Sequence, residues 1–412
     1  MAYRKKIIIV MLALVFLSVS LFIIFGYEKT WKLLNIPTMM PYFADIRTIT
    51  GGAESKSLGY DPMIYNPGDP WGRPLNYPRL WQCLYLFGID QSNTLFFGIL
   101  IIVLFILGVI LLLKTDDNIL ILLTIISVIS PSVLLGIERG NTDLLIFFFV
   151  TISILLIKKS RLIYSSIFIL IGFLLKLYPI FTVFLLIKQK KKYSVFIYTF
   201  LITTLLGLYF IFNYSDLSLI AKGTSKGTEM SYGMDILWVF SANFDSNLSK
   251  IIRTISYLVV VIVPVSSYWV LKKMKGFRSK IVSNGFIDFF LGGAAIYVGT
   301  FLLGNNWDYR LVFLIFVIPQ LYEWSINTST GVIKFIAIFL IINIYIAQWG
   351  LIYNDWLVSI PYGLYIYVIV NQSAKWIVFV GLLFLIIWVT PFWYMVKRKD
   401  PDNEMNFDLT MN

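Results

Sequence analysis

The 412-residue chain is 58% hydrophobic and only 14% charged, with a mean hydropathy of +0.81, which excludes an ordinary water-solvated domain with its quarter of charged residues. It has no histidine and one cysteine, Cys83, so imidazole catalysis, Ser-His-Asp triads, histidine metal sites and an intramolecular disulfide are all excluded. The net charge of +12 is held largely in short basic clusters beside apolar runs, a signature of membrane topology and not of nucleic-acid binding.

Runs of about twenty apolar residues recur from residue 7 to residue 396. They predict an all-α, polytopic helical membrane protein, because lipid offers an open backbone no hydrogen bonds and the runs are too long for barrel strands. Arg4, Lys5 and Lys6 precede the run 7–25. Ser18 and Ser20 stand at the spacing of a signal-peptide cleavage site, but the run continues to Phe25 and favours an uncleaved anchor with a cytoplasmic N-terminus. Residues 27–94 are then a large external loop, opened by TWKLLNI (30–36), a short helix expected to lie in the interface. The stretch 42–79 is polar, rich in Gly and Pro, and holds Asp45, Arg47, Glu54, Asp61, Asp69, Arg73 and Arg79. A long ordered loop between spans is uncommon and usually functional.

Residues 95–113 return to the cytoplasm and 119–136 go out to IERGNTD (137–143). Residues 143–157 come back to KKSR (158–161). The run 162–187 lies between that cluster and KQKKK (188–192), so both of its ends should be cytoplasmic. Pro179 in LKLYP (175–179) disfavours helix at Tyr178, and the run reads as a hairpin of two short helices with Lys176 near its external turn. Residues 193–212 go out to a second external loop, 213–250, and 251–271 return to KKMKGFRSK (272–280). Residues 285–303 go out to GNNWDYR (304–310), 309–323 come back and 333–350 go out. The short run 357–370 contains Pro361 and is expected to be re-entrant. Residues 376–396 return to Lys397-Arg398-Lys399 and a short cytoplasmic tail, 397–412. The result is one integral-membrane domain, 1–396, of about twelve spans with every major basic cluster on one side. The spans show no internal repeat, which disfavours an inverted-repeat transporter.

This topology gathers the isolated polar residues on the external face. Without histidine, any general base must be Asp, Glu, Lys or Tyr. Asp45 lies just past the first span beside Tyr42 and Phe43, where apolar walls hold a carboxylate at a pKa useful for taking a proton; the bland alternative is a helix cap. Arg47, Asp61 and Tyr77 of the same loop are candidate substrate contacts, although Asp61-Pro62 and Asp69-Pro70 are turn signals first. Tyr77, with Tyr65 and Trp71, suits stacking on sugar rings, as it also suits a membrane interface. Glu138 and Arg139 either pair with each other or, with Gly140 and Asn141 at a helix start, bind phosphate or sugar hydroxyls. Lys176 stands alone in an apolar run; a snorkelling lysine competes with a phosphate-neutralising cation, and intramembrane charges favour the second. Asp308, Tyr309 and Arg310 form either an internal ion pair or a phosphate contact.

In chain order these segments resemble the GT-C glycosyltransferases, in particular family 87. The resemblance rests on an Asp soon after the first span (Asp45), LGYDPMIYNP (58–67), the Tyr77-Pro78 pair, ERGNTDLLIFFF (138–149), Gly172, Lys176 and Pro179 in GFLLKLYP, and NWDYRLVFLIFVIP (306–319). It covers the membrane core from Asp45 to Pro319. It implies an inverting transfer of one sugar, mannose or another hexose, from a polyprenyl-phosphate carrier to a glycan or lipid-linked acceptor, with Asp45 as base. The loop 51–81 is more elaborate than is usual in the family, so the acceptor is expected to differ from that of its best-known members. No external Asp-x-Asp pair is present, and a mechanism without metal or cofactor is expected. The site would lie on the extracytoplasmic side of a bacterial inner membrane. A polymerase or ligase using polyprenyl-diphosphate oligosaccharides, a transporter or flippase, and a membrane scaffold are the rival classes.

Overall fold

The computed structural model describes residues 2–188, 192–273, 285–328 and 331–390. Most of the basic clusters 188–192 and 272–280, and the tail 397–412, lie outside the described residues. The architecture is all-α. The chain opens with α1 (Ala2–Phe25), almost wholly apolar from Ile7 onward and little buried by the rest of the protein. The first loop then folds as ordered structure. It carries α2 (Tyr27–Leu33), α3 (Ala44–Ser57) and two 3-10 helices, Arg79–Phe87 and Gln91–Asn93. α3 is a buried helix, wrapped by the chain that follows it. Thr48 Oγ1 donates to Asp69 Oδ2 at 2.8 Å and Ser55 Oγ to Asn66 Oδ1 at 2.8 Å, so the Gly- and Pro-rich turns of 58–78 are tied to its flank.

α4 (Thr94–Leu112) is a long apolar helix. α5 (Asn118–Val128) and α6 (Pro131–Arg139) are bent by 52° at a short break, with Pro131 at the first turn of α6, where its missing N–H costs nothing. α7 (Asp143–Lys158) and α8 (Leu162–Leu175) follow. α8 ends where the sequence predicts, but the second arm of that run is a 3-10 helix, Tyr178–Lys188. α9 (Lys192–Phe212) and α10 (Tyr214–Gly223) meet at a 77° bend. A two-residue strand β1 (Ser231–Tyr232), α11 (Ile236–Ser241) and the lipid-facing α12 (Ser246–Lys273) come next. Then α13 (Ile287–Leu303) leads to β2 (Asn306–Trp307), which pairs antiparallel with β1, Ser231 opposite Trp307. A 3-10 helix, Asp308–Phe316, continues into α14 (Ile318–Asn327), and α15 (Gly331–Gln348), α16 (Gly350–Val358) and α17 (Gly363–Val389) close the bundle.

Counted by length and apolarity, five described helices can cross a membrane, or seven if each bent pair is one crossing. The expected number was about twelve. The difference lies in pieces that are short or broken, such as α8, α13 and the 3-10 run Asp308–Phe316. A second correction concerns 357–370. Pro361 supplies no N–H and ends α16, Tyr362 turns the chain with φ 61°, and helix restarts at Gly363. The second half of that run is the first part of the 27-residue α17, not a re-entrant unit.

At the centre lies α13, buried at every residue from Ile287 to Phe301 except Asp288. Helices in lipid gain nothing from hiding apolar surface from one another, so close packing decides. The small residues Gly292, Gly293, Ala294, Ala295 and Gly299 let neighbours approach the α13 backbone. A Cβ on Gly293 would lie 2.6 Å from the Phe313 carbonyl oxygen, and one on Gly299 would meet the Phe181 ring. Both 3-10 helices therefore rest on one helix. They carry, at their leading ends, Tyr178 and Arg310.

Candidate active site

Three chain breaks bring the polar residues together. The first is the start of α3. Phe43, left-handed at φ 59°, turns the chain so that Ala44 and Asp45 open the helix, and Asp45 remains partly accessible. The second is the junction of α6 and α7. Gly140 takes φ 60°, the Gly140 and Asn141 N–H groups bond back to Ile137 O and Gly136 O, and Asn141 caps the next helix by accepting from the Asp143 N–H at 2.8 Å. The third is the end of α8. Pro179 forbids continuation, Trp81 Nε1 donates to the freed Leu175 carbonyl at 2.9 Å, and Lys176 becomes extended.

The side chains form one connected network. Asn141 Nδ2 donates a short hydrogen bond to Asp45 Oδ2, and Asn141 Oδ1 accepts from Lys176 Nζ at 3.0 Å. Lys176 also pairs with Asp143 Oδ1. Asp143 is 1% exposed and accepts from Tyr178 Oη at 2.7 Å and from Arg310 Nε at 3.2 Å. Arg310 lies over the Tyr178 ring at 4.4 Å and is anchored by Asn306 Oδ1. On the other side of Asp45, Arg73 NH1 stands 3.9 Å from Oδ1. The Arg73 guanidinium is itself fixed by Asp69 Oδ2 at 2.9 Å, the Ala44 carbonyl and the face of Trp71. Lys176 Nζ lies 5.4 Å from the Tyr77 ring and 5.7 Å from that of Tyr309. Burial, and then the Asp45 carboxylate, push the Tyr77 hydroxyl well above its ordinary value, so Tyr77 is a hydrogen-bond donor at neutral pH.

Of the sequence candidates, Asp45, Tyr77, Asn141, Lys176, Tyr309 and Arg310 thus converge. The others are placed elsewhere. Arg47 lies across the Tyr42 ring and donates to the Tyr42 carbonyl at 2.7 Å and to Gln91 Oε1 at 2.8 Å. Asp61 accepts from Arg79, which also donates to Asp216 Oδ2 at 2.7 Å, a triad joining the first loop to α10. Glu138 pairs with Arg139 at 3.0 Å and accepts from the Met39 N–H at 3.0 Å, and Arg139 donates to the Pro37 carbonyl. Asp308 is buried against Lys375 of α17, its Oδ1 2.8 Å from Nζ. Glu138 thus pairs with its neighbour Arg139, one of its two sequence readings, whereas the internal pair read for Asp308-Tyr309-Arg310 is not formed: Asp308 pairs with Lys375 and Arg310 with Asp143.

Residues 84–271 match the family model of glycosyltransferase family 87.

The match indicates a glycosyltransferase and is consistent with the family that the chain's motifs resemble. It spans the region from just before α4 to the C-terminal part of α12, and so includes Asn141, Asp143, Lys176 and Tyr178. Asp45, Arg73, Tyr309 and Arg310 lie outside the matched residues and join them through the geometry alone. No curated protein and no solved structure matches the chain. Arg73, Asp143 and Tyr178 had no place among the sequence candidates. Asp143 was legible as a helix-start acid, three residues from Gly140, and Tyr178 only as the residue ahead of Pro179. Arg73 is one of several loop charges with no distinguishing neighbour in sequence.

Proposed function

We propose that the protein transfers one sugar, mannose or another hexose, from a polyprenyl-phosphate carrier to a glycan or lipid-linked acceptor, with inversion and with Asp45 as general base. The acceptor hydroxyl gives its proton to Asp45 as its oxygen bonds to the anomeric carbon. The bond from that carbon to the phosphate oxygen breaks, and the electron pair leaves with the carrier phosphate. Asn141 holds one carboxylate oxygen of Asp45 and Arg73 faces the other, which orients the base. The reaction site faces the extracytoplasmic side, with both chain termini cytoplasmic.

The observation that carries the reading is the balance of charge around Asp143. Two cations, Lys176 and Arg310, share this one buried carboxylate. The cluster therefore holds one positive charge in excess. A sugar phosphodiester carries a single negative charge, and the departing phosphomonoester carries about 1.5 to 2. The added charge appears as the bond breaks, so cations already fixed in place act on the transition state more than on the bound donor.

Membranes containing the wild type or Asp45→Asn, supplied with radiolabelled polyprenyl-phosphate sugars, test the proposal. Transfer by the wild type, with kcat lower by about 10²–10⁴-fold in a normally folded Asp45→Asn, is the expected result. Equal transfer by both removes Asp45 from the mechanism. No transfer from any monophosphate donor refutes the donor class.

A further inference from the structure

Near the acid-base network lies a cavity of about 310 Å³, between α2 with the turn after it, the approach to β1, and α16. Its polar lining is Glu28, Lys32, Asn35, Thr38, Glu229 and Asn354. None of these six side chains makes a hydrogen bond or ion pair with another described residue. Asn354 Oδ1 is buried and without a partner. Glu28 and Lys32 are exposed at its mouth and Asn35, Thr38 and Glu229 are half-buried, so the hollow offers free donors and acceptors, and the buried Asn354 oxygen is the one left costly unless something enters. Asn35 adds backbone strain, with φ at 56°. Ile36 and Leu351 form the apolar part of the wall, and Met230 and Tyr309 pack on the same small core. Tyr309 is also the residue whose ring faces Lys176 at 5.7 Å. Tyr309 thus touches both the small core that backs this cavity and the network around Asp143.

The chemistry of the lining selects its ligand. Two carboxylates against one ammonium leave the cavity net negative, which repels a phosphate. Carboxylates and amides with free acceptors and donors suit vicinal hydroxyl groups. The volume is at the low end of ligand pockets, the size of a single sugar ring. The donor phosphate belongs with Lys176 and Arg310, outside this cavity.

We propose that this cavity binds an uncharged sugar ring of the acceptor, adjoining the unit that is glycosylated, so that the acceptor is a glycan read beyond its attacking hydroxyl. This rests on the glycosyltransfer reading above.

Saturation-transfer NMR of the full chain in nanodiscs, with the methyl α-glycosides of mannose, glucose and galactose as probes, tests the subsite without needing turnover. At least one glycoside is expected to bind, with a Kd raised about tenfold or more by Glu28→Gln combined with Glu229→Gln and unchanged by Asp45→Asn. If the double variant unfolds, Asn35→Gly removes an amide while keeping the left-handed backbone, and the same rise is expected. Failure of all three glycosides to bind, or a Kd indifferent to these substitutions, overturns the subsite. Transfer activity that survives with such an indifferent Kd refutes the subsite and leaves the glycosyltransfer reading standing. Glycoside binding that depends on Glu28 and Glu229 in a chain without transfer activity supports a sugar site and refutes the monophosphate donor.

Discussion

At the scale of single residues, the network distinguishes groups that look alike in the sequence. Asp45 and Arg47 stand two apart on α3, about 200° around the helix, so they cannot face one site. Asp45 turns to Asn141 and Arg73, whereas Arg47 turns to Tyr42 and Gln91. Lys176 was legible because a lone charge in an apolar run is expensive to keep. Its partner Asp143 was not, because an acid at a helix start already has a local explanation in the helix dipole. If Lys176 stabilises the leaving phosphate, Lys176→Met lowers kcat by about 10²–10³-fold, and Lys176→Arg recovers part of it. Steady-state transfer kinetics, with the donor KM measured alongside, separate this from a loss of donor binding.

At the scale of elements, the site is built where helices stop. Pro179 and Gly140 announced two of these ends in the sequence, through a missing donor and a residue free to take positive φ. The 3-10 character of Tyr178–Lys188 and Asp308–Phe316 was not legible, because an apolar run shows no difference between three and 3.6 residues per turn when almost every residue is apolar. Gly140 also leaves little room for a side chain, since an added Cβ would lie 3.1 Å from that of Phe43. Gly140→Ala combines a left-handed backbone with that contact. It is expected to destabilise the protein by about 1–3 kcal/mol. Transfer activity should fall too, because Phe43 precedes the first turn that holds Asp45. Thermal unfolding in detergent, read beside activity, checks both.

At the scale of the molecule, an all-α membrane protein was evident from composition, but the number of crossings was not. Apolar runs mark what lipid or a buried core will accept, and α13 shows that a run can be almost entirely enclosed by the rest of the protein. The long-range tie between α17 and β1 was equally hidden. Lys375 is fully buried, pairs with Asp308 and donates to the Ser231 carbonyl at 3.0 Å. Lys375→Met strands a buried carboxylate one residue from Tyr309 and is expected to cost about 3–5 kcal/mol, with Lys375→Met/Asp308→Leu regaining much of it. Chemical denaturation of the three chains decides this.

The bare surface of α13 has a genetic consequence. The two cation-bearing segments, 176–188 and 306–316, are set apart by a helix that carries no charge beyond Asp288 in its first turn. Spacing between Lys176 and Arg310 is thus inherited from the absence of side chains at Gly293 and Gly299. Gly299→Ala thrusts a methyl into the Phe181 ring, an overpacking of about 1–3 kcal/mol. Loss of transfer in that allele should be relieved by a second-site change trimming the ring, Phe181→Leu, and a suppressor selection that never returns codon 181 would show that the two segments are spaced by something else.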